Sequence, residues 1–269
     1  VADVSLCVAG PADRDQVIAV LAAADLGSRQ PALIEFVLRD PGIRVVIARV
    51  DGVAAGTAHG ISLGDTGWLG NVAVRPDVQR RGIGTAVTRA AVDWMREQGA
   101  RTVLLLATPA GRPVYERLGF VVDGEPVDKY TIAAAPRPLG PTGVRSGSLD
   151  DSARLDRVAT GEARERLLAP FADRLVAPLA GDGGYALTLP WGGGPVIADE
   201  PDAAHALWWH AYASRPGARW AFPRRNFAAA ELARRYGCAY AGESVRMRLG
   251  PPVALEPARV WAVWSLATG

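Results

Sequence analysis

The sequence predicts an α/β fold built twice, as two tandem halves that are each a mixed, mostly antiparallel sheet flanked by helices. Three observations carry this reading. Stretches of strand period and of helix period succeed one another along the 269 residues. A segment from Ala133 to Gly143, with three prolines and no apolar periodicity, reads as a linker. The order of elements before it recurs after it. The expected domains are 1–135 and 144–269 joined by a linker at 136–143, each long enough to bury its own core.

In the first half, Val4 to Val8 alternates as a strand, and Pro11-Ala12-Asp13 opens a helix with Val17, Ile18 and Leu21 on one face. Gly27-Ser28 breaks it. A second amphipathic helix, Pro31 to Leu38, stops at Asp40-Pro41-Gly42. Two strands, Ile43 to Val50 and Val53 to Ile61, are joined by Asp51-Gly52, a dipeptide suited to a tight hairpin. Trp68 to Val74 alternates as the next strand and ends at Arg75-Pro76-Asp77. From Gly84 to Gln98, Val87, Ala91, Trp94 and Met95 return at helical spacing. Thr102 to Ala107 reads as a buried strand and Pro109 to Leu118 as a short helix. Phe120 to Val122 and Tyr130 to Ala133 read as a closing hairpin.

After the linker, Val144 to Gly147 is strand-like and Asp150 to Val158 helical, and Arg164, Leu167, Leu168 and Phe171 echo the second helix of the first half. Strands at Tyr185 to Leu189 and Val196 to Ala198 surround a Trp191-Gly192-Gly193-Gly194 turn. A helix at Ala203 to Ala213, a strand at Trp220 to Phe222 and a helix at Asn226 to Tyr236 follow, the last ending at Gly237-Cys238. Superposed on the first half, Asn226 falls on Thr108, Ala233 on Tyr115 and Gly237-Cys238 on Gly119-Phe120.

The informative stretch is Gln79-Arg80-Arg81-Gly82-Ile83-Gly84-Thr85, which sits at a strand-to-helix turn. Glycines there let successive backbone N–H groups approach an anion, and the following helix adds the positive end of its dipole. Without the third glycine of a dinucleotide fingerprint, the run does not fit a Rossmann nucleotide site. Gln79-x-x-Gly82-x-Gly84 after such a strand resembles the pyrophosphate loop of the GNAT acyl-CoA-dependent N-acetyltransferases. Tyr115-Glu116-Arg117-Leu118-Gly119-Phe120 is similar to that superfamily's helix ending in a tyrosine-to-Gly-Phe signature.

The resemblance implies a splay between the fourth and fifth strands where acetyl-CoA enters. By the family match, backbone N–H groups at Val72, Ala73 and Val74 hold the pantetheine arm and polarise the acetyl carbonyl. The amides of Arg80, Arg81, Gly82, Ile83, Gly84 and Thr85 take the pyrophosphate, with Gln79 opening the loop. The side chains of Arg80 and Arg81 either add charge directly or are ordinary solvated arginines. Tyr115 would act as the general acid toward the coenzyme sulfur, the other reading being a helix tyrosine packed on the sheet. Thr108 stands where the family often has asparagine and offers a hydroxyl in its place. His59 and Glu35 lie on elements that line the acceptor side and are the candidate bases, with a structural histidine, a solvated glutamate or a water chain as the alternatives.

The second half lacks the loop: Ala198-Asp199-Glu200-Pro201-Asp202 would set three carboxylates against a pyrophosphate. It resembles the degenerate C-terminal domains of tandem GNAT proteins. Its aromatic residues, Trp191, Trp208, Trp209, Tyr212, Trp220, Trp261 and Trp264, read either as a wall over the acceptor site or, more plainly, as core, with Val260 to Trp264 a buried strand.

A formal net charge of +2 demands neither nucleic acid nor a membrane as partner. Two distant cysteines, Cys7 and Cys238, fit reduced thiols, and His205 and His210 have no metal-ligand spacing, so no metal is expected. There is no apolar run of roughly 20 residues and no basic leader, which reads as a cytoplasmic protein. The expected function is acetyl transfer from acetyl-CoA to a small-molecule amine by direct attack. A protein or peptide N-acetyltransferase and a non-catalytic acyl-CoA-binding sensor are the alternatives. A monomer or weak homodimer is expected, the second half standing where a partner subunit otherwise would.

Overall fold

The computed structural model describes residues 4–25, 31–132 and 143–265. Most of the proposed linker, and the Gly27-Ser28 break, lie outside them. By its own contacts the chain divides into two compact units. The first runs to Val122 and takes in Met247–Pro251; the second comprises Asp123–Arg246 and the segment from Pro252 onward.

In the first unit, β1 (Val4–Ala9) is followed by α1 (Arg14–Ala23) and α2 (Pro31–Arg39), then β2 (Ile43–Val50), β3 (Val53–Leu63), β4 (Thr66–Val74), α3 (Ile83–Glu97), β5 (Thr102–Ala107), α4 (Arg112–Arg117) and β6 (Val121–Val122). Strands β1 to β5 lie side by side in that order. The first four are antiparallel, and β5 joins β4 in parallel. Helix α3 buries Ile83, Val87, Ala91, Trp94 and Met95 on one face, the side-chain period of a half-buried helix. It rides close on β3 because Gly60 presents no side chain. A Cβ there would stand 3.1 Å from the Ala91 carbonyl oxygen and 3.0 Å from Met95 Cγ. The first turn is close too: a Cβ at Gly56 would stand 2.6 Å from Ile83 Cγ2.

In the second unit, β7 (Val127–Thr131) and β8 (Val144–Ser146) precede α5 (Leu149–Thr160) and α6 (Glu165–Leu168). Then come β9 (Leu175–Pro178), β10 (Gly184–Leu187), β11 (Val196–Ala198), α7 (Pro201–Tyr212), β12 (Arg219–Pro223), α8 (Phe227–Arg235), β13 (Ala239–Leu249) and β14 (Val260–Ala262). One antiparallel sheet has the order β14-β11-β10-β9-β8. Its core brings Trp208 and Tyr212 of α7 together with Trp220 and Phe222 of β12.

The closing hairpin expected from Phe120–Val122 and Tyr130–Ala133 does not form. β6 pairs instead with Met247 and Arg248 at the end of β13, and β7 pairs with β12 and with the earlier part of β13. A two-residue strand cannot specify a partner by itself, so the longer β13 takes both sites. Arg246 is buried, and its guanidinium pairs with Asp123.

Candidate active site

Strand β4 carries an apolar run that its neighbours cover on both edges only as far as Trp68. Pairing with β5 extends over Thr66–Trp68 and Thr102–Leu104 and then stops, although β4 continues to Val74 and β5 to Ala107. The two strands therefore part, and among the described residues no strand pairs with that edge of β4 beyond Trp68. A bulge accompanies the parting. His59 opposes Gly70 and Thr57 opposes Ala73, so Asn71 and Val72 together face the single residue Ala58. Asn71 has φ 49°, the left-handed conformation that asparagine accepts more readily than other residues with side chains.

Below the bulge the strand alternates regularly. Arg75 N–H donates to Ala55 O on β3 at 2.8 Å, so Ala73 also turns its backbone to β3 and Val72 and Val74 turn theirs to the open edge. Of the three positions singled out in the sequence, two thus face the parting and Ala73 does not. The Gln79 side chain closes this end: its Nε2 donates to Val74 O at 3.0 Å.

The glycine run supplies a bare helix end. Gly82 is the N-cap of α3 with φ 81°, and no side chain caps the helix. The first helical bond is Ala86 N–H to Gly82 O, which leaves the amides of Ile83, Gly84 and Thr85 without intrahelical acceptors. Arg80 also has positive φ, 63°. A Cβ at Gly82 would meet nothing within 4 Å and one at Gly84 only the Val74 side chain at 3.5 Å, so the loop is uncrowded beside both glycines. These donors and the dipole behind them fit a pyrophosphate.

Tyr115, on α4, is 8 % exposed and packs edge-on against Phe120 at 5.9 Å between ring centroids. Burial pushes its phenol up to about 12, so it keeps its proton at neutral pH. Among the described residues Oη has no hydrogen-bond partner. Thr108 shares this corner: its Oγ1 accepts from Gly111 N–H at 3.2 Å, and a Cβ at Gly111 would lie 3.3 Å from that oxygen and 3.6 Å from Tyr115 Oη. The threonine hydroxyl thus serves the turn that starts α4.

His59 is 1 % exposed and sits across from Gly70, beside the bulge. Glu35 is elsewhere. It stands on the outer face of α2, opposite Leu33, Ile34 and Val37, in an exposed ion pair with Arg39 at 3.0 Å. Sequence reasoning passed over Asn71. Its Nδ2 is buried at the bulge with no hydrogen-bond partner among the described residues, and the signal was there: asparagine is a poor strand residue inside an apolar run.

A family model described as the acetyltransferase (GNAT) family matches residues 19–120, and one described as an acetyltransferase (GNAT) domain matches residues 153–262. The chain belongs to the GNAT acetyltransferase family, with two such domains in tandem. Among solved structures, one described as an acetyltransferase from Pyrococcus horikoshii superposes with a TM-score of 0.85 at 23 % identity, over 99 % of this chain and 96 % of that one. A GCN5-related N-acetyltransferase from Sphaerobacter thermophilus gives 0.66 at 18 % identity, over 94 % and 98 % of the two chains. At such identities the likeness is one of fold. It extends through both halves of this GNAT protein. Among the described residues no group of three or more His, Cys, Asp or Glu side chains could hold a metal ion, and no helix is long and apolar enough to cross a membrane. Both cysteines are free thiols.

Proposed function

We propose that the first half of this GNAT protein transfers an acetyl group from acetyl-CoA to the amine of a small molecule by direct attack. The observation that carries the reading is the juxtaposition, on one short stretch of chain, of a strand edge without a neighbour and an uncapped helix end. Val72 and Val74 offer N–H groups on that edge, and the amides of Ile83, Gly84 and Thr85 have no intrahelical acceptors at the start of α3. Acetyl-CoA supplies an activated acyl thioester.

In this reading the amides at the start of α3 bind the pyrophosphate and the β4 edge orients the pantetheine. Backbone donors at the bulge stabilise the negative charge that develops on the acyl oxygen, which preorganised N–H groups do at no reorganisation cost. The buried neutral phenol of Tyr115 donates its proton toward the departing sulfur. His59, beside the bulge, takes the ammonium proton from the acceptor so that a neutral amine attacks. Glu35, held by Arg39 on the outer face of α2, is left out.

The test is release of free coenzyme thiol from acetyl-CoA with a panel of amino sugars, amino acids, polyamines and peptides. Turnover with a small amine, reduced by Tyr115→Phe, supports the proposal; turnover only with peptides, or with none of the panel, contradicts it.

A further inference from the structure

In the second half the elements equivalent to β4, α3, β5 and α4 are β11, α7, β12 and α8, and the gap between the two strands is filled. β14 pairs antiparallel with β11 through Val196–Ala262 and Ile197–Val260, and just beyond it Val263 N–H donates to Ala221 O of β12 at 2.9 Å. All three residues of β14 are buried.

The side chains around this strand treat it as a ligand. Asn226, at the position equivalent to Thr108, directs its Nδ2 to Ala258 O at 3.1 Å and Val260 O at 3.0 Å, while its Oδ1 caps α8 by accepting from Ala229 N–H at 2.9 Å. The Trp220 indole N–H donates to Trp261 O at 2.6 Å. Charge at the helix end is inverted relative to the first half. α7 begins with Pro201, which has no N–H to offer, and Asp199 just ahead of it pairs with Arg259 of the incoming segment at 3.3 Å.

We propose that the second half has converted the slot equivalent to the first half's coenzyme site into a receptor for an extended peptide, occupied by the chain's own residues 257–263, and that this occupant shuts acyl-CoA out of the second half. The equivalence rests on the acetyl-CoA reading of the first half; the strand's role as an occupant does not. A peptide suits the slot because a strand offers, at regular spacing, the carbonyl acceptors that Asn226 and Trp220 need and the N–H and C=O groups that the open edge of β11 lacks.

Asn226→Asp in the full chain is the selective test. It keeps the oxygen that caps α8 and replaces only the donor aimed at Ala258 and Val260. Amide hydrogen exchange at residues 258–263 should rise about tenfold or more, as loss of two hydrogen bonds implies, while α5 and β10 exchange as before. Unchanged exchange at 258–263, or acceleration spread evenly through the second unit, overturns the proposal.

A second test uses a protease site inserted after Pro252 and cut in the folded protein. The severed segment 253–269 should remain bound through size exclusion, exchange with an added fluorescent peptide of the same sequence, and resist excess acetyl-CoA. Loss of the segment, refusal of the peptide, or displacement by acetyl-CoA overturns it. Neither experiment reads turnover, so an inactive first half would leave these results interpretable and would itself show in the thiol-release assay.

Discussion

Gln79 Nε2 donates to Val74 O, and that single bond ties the glycine loop to the open edge of β4. It fixes the distance between the two groups of donors, those on the strand and those on the helix end. Gln79→Ala should therefore weaken acetyl-CoA binding by about five- to tenfold, the value of one net hydrogen bond, while the thermal midpoint hardly moves because the side chain is exposed. Calorimetric titration of the variant beside the parent checks this.

Tyr115→Phe removes the proton donor and keeps the ring packed against Phe120. Turnover should fall about a hundredfold, in the range of a lost general acid, with acetyl-CoA affinity nearly unchanged. The phenol's pKa of about 12 lies above its unfolded value near 10 because of burial. Its contribution to stability is thus complete below pH 10 and lost as the pH rises through about 12. The ultraviolet difference titration of parent against variant should show the missing tyrosine ionising near 12 rather than near 10.

Asn71 holds a left-handed conformation at the bulge. Asn71→Gly should cost no more than about 1 kcal/mol, because glycine adopts that conformation freely and a buried unpartnered amide is removed. Asn71→Val should cost about 2 kcal/mol or more, since a branched side chain is strained there. Urea unfolding of the two variants gives the comparison.

Arg164 is buried and grips both carboxylate oxygens of Asp156 at 2.7 and 2.8 Å, and Tyr185 Oη donates to the same carboxylate. Asp156→Asn removes the charge opposite a buried guanidinium. Stability should fall by about 3–5 kcal/mol, the magnitude for breaking a buried pair on one side, measured by the denaturation midpoint.

The parts of the fold that announced themselves in the sequence are those whose signal is local. The spacing of Val87, Ala91, Trp94 and Met95 fixed α3, and Gly82 and Gly84 marked its bare end. Asp51-Gly52 marked the β2–β3 hairpin. The parts that did not are long-range. β13 carries Glu243, Arg246 and Arg248 and shows no plain apolar alternation; Arg246 is buried in a pair with Asp123, far away in sequence. The pairing of β6 with Met247 and Arg248 is equally distant in sequence. β14 was legible as a buried strand within Val260 to Trp264, but its place beside β11, and the bonds that Asn226 and Trp220 make to its carbonyls, were not. Asn71 was legible as an oddity, but the bulge it supports depends on the register against β3.

The most direct measurement is calorimetric titration of the full chain with acetyl-CoA, beside a Gly82→Asp variant. Aspartate tolerates the left-handed conformation of Gly82 and its Cβ has room there, so the variant should fold, but it sets a carboxylate beside the amides of α3. One binding site per chain, abolished by Gly82→Asp, is the predicted result. Two sites, no binding, or binding indifferent to the substitution would contradict a coenzyme site built from β4 and the end of α3.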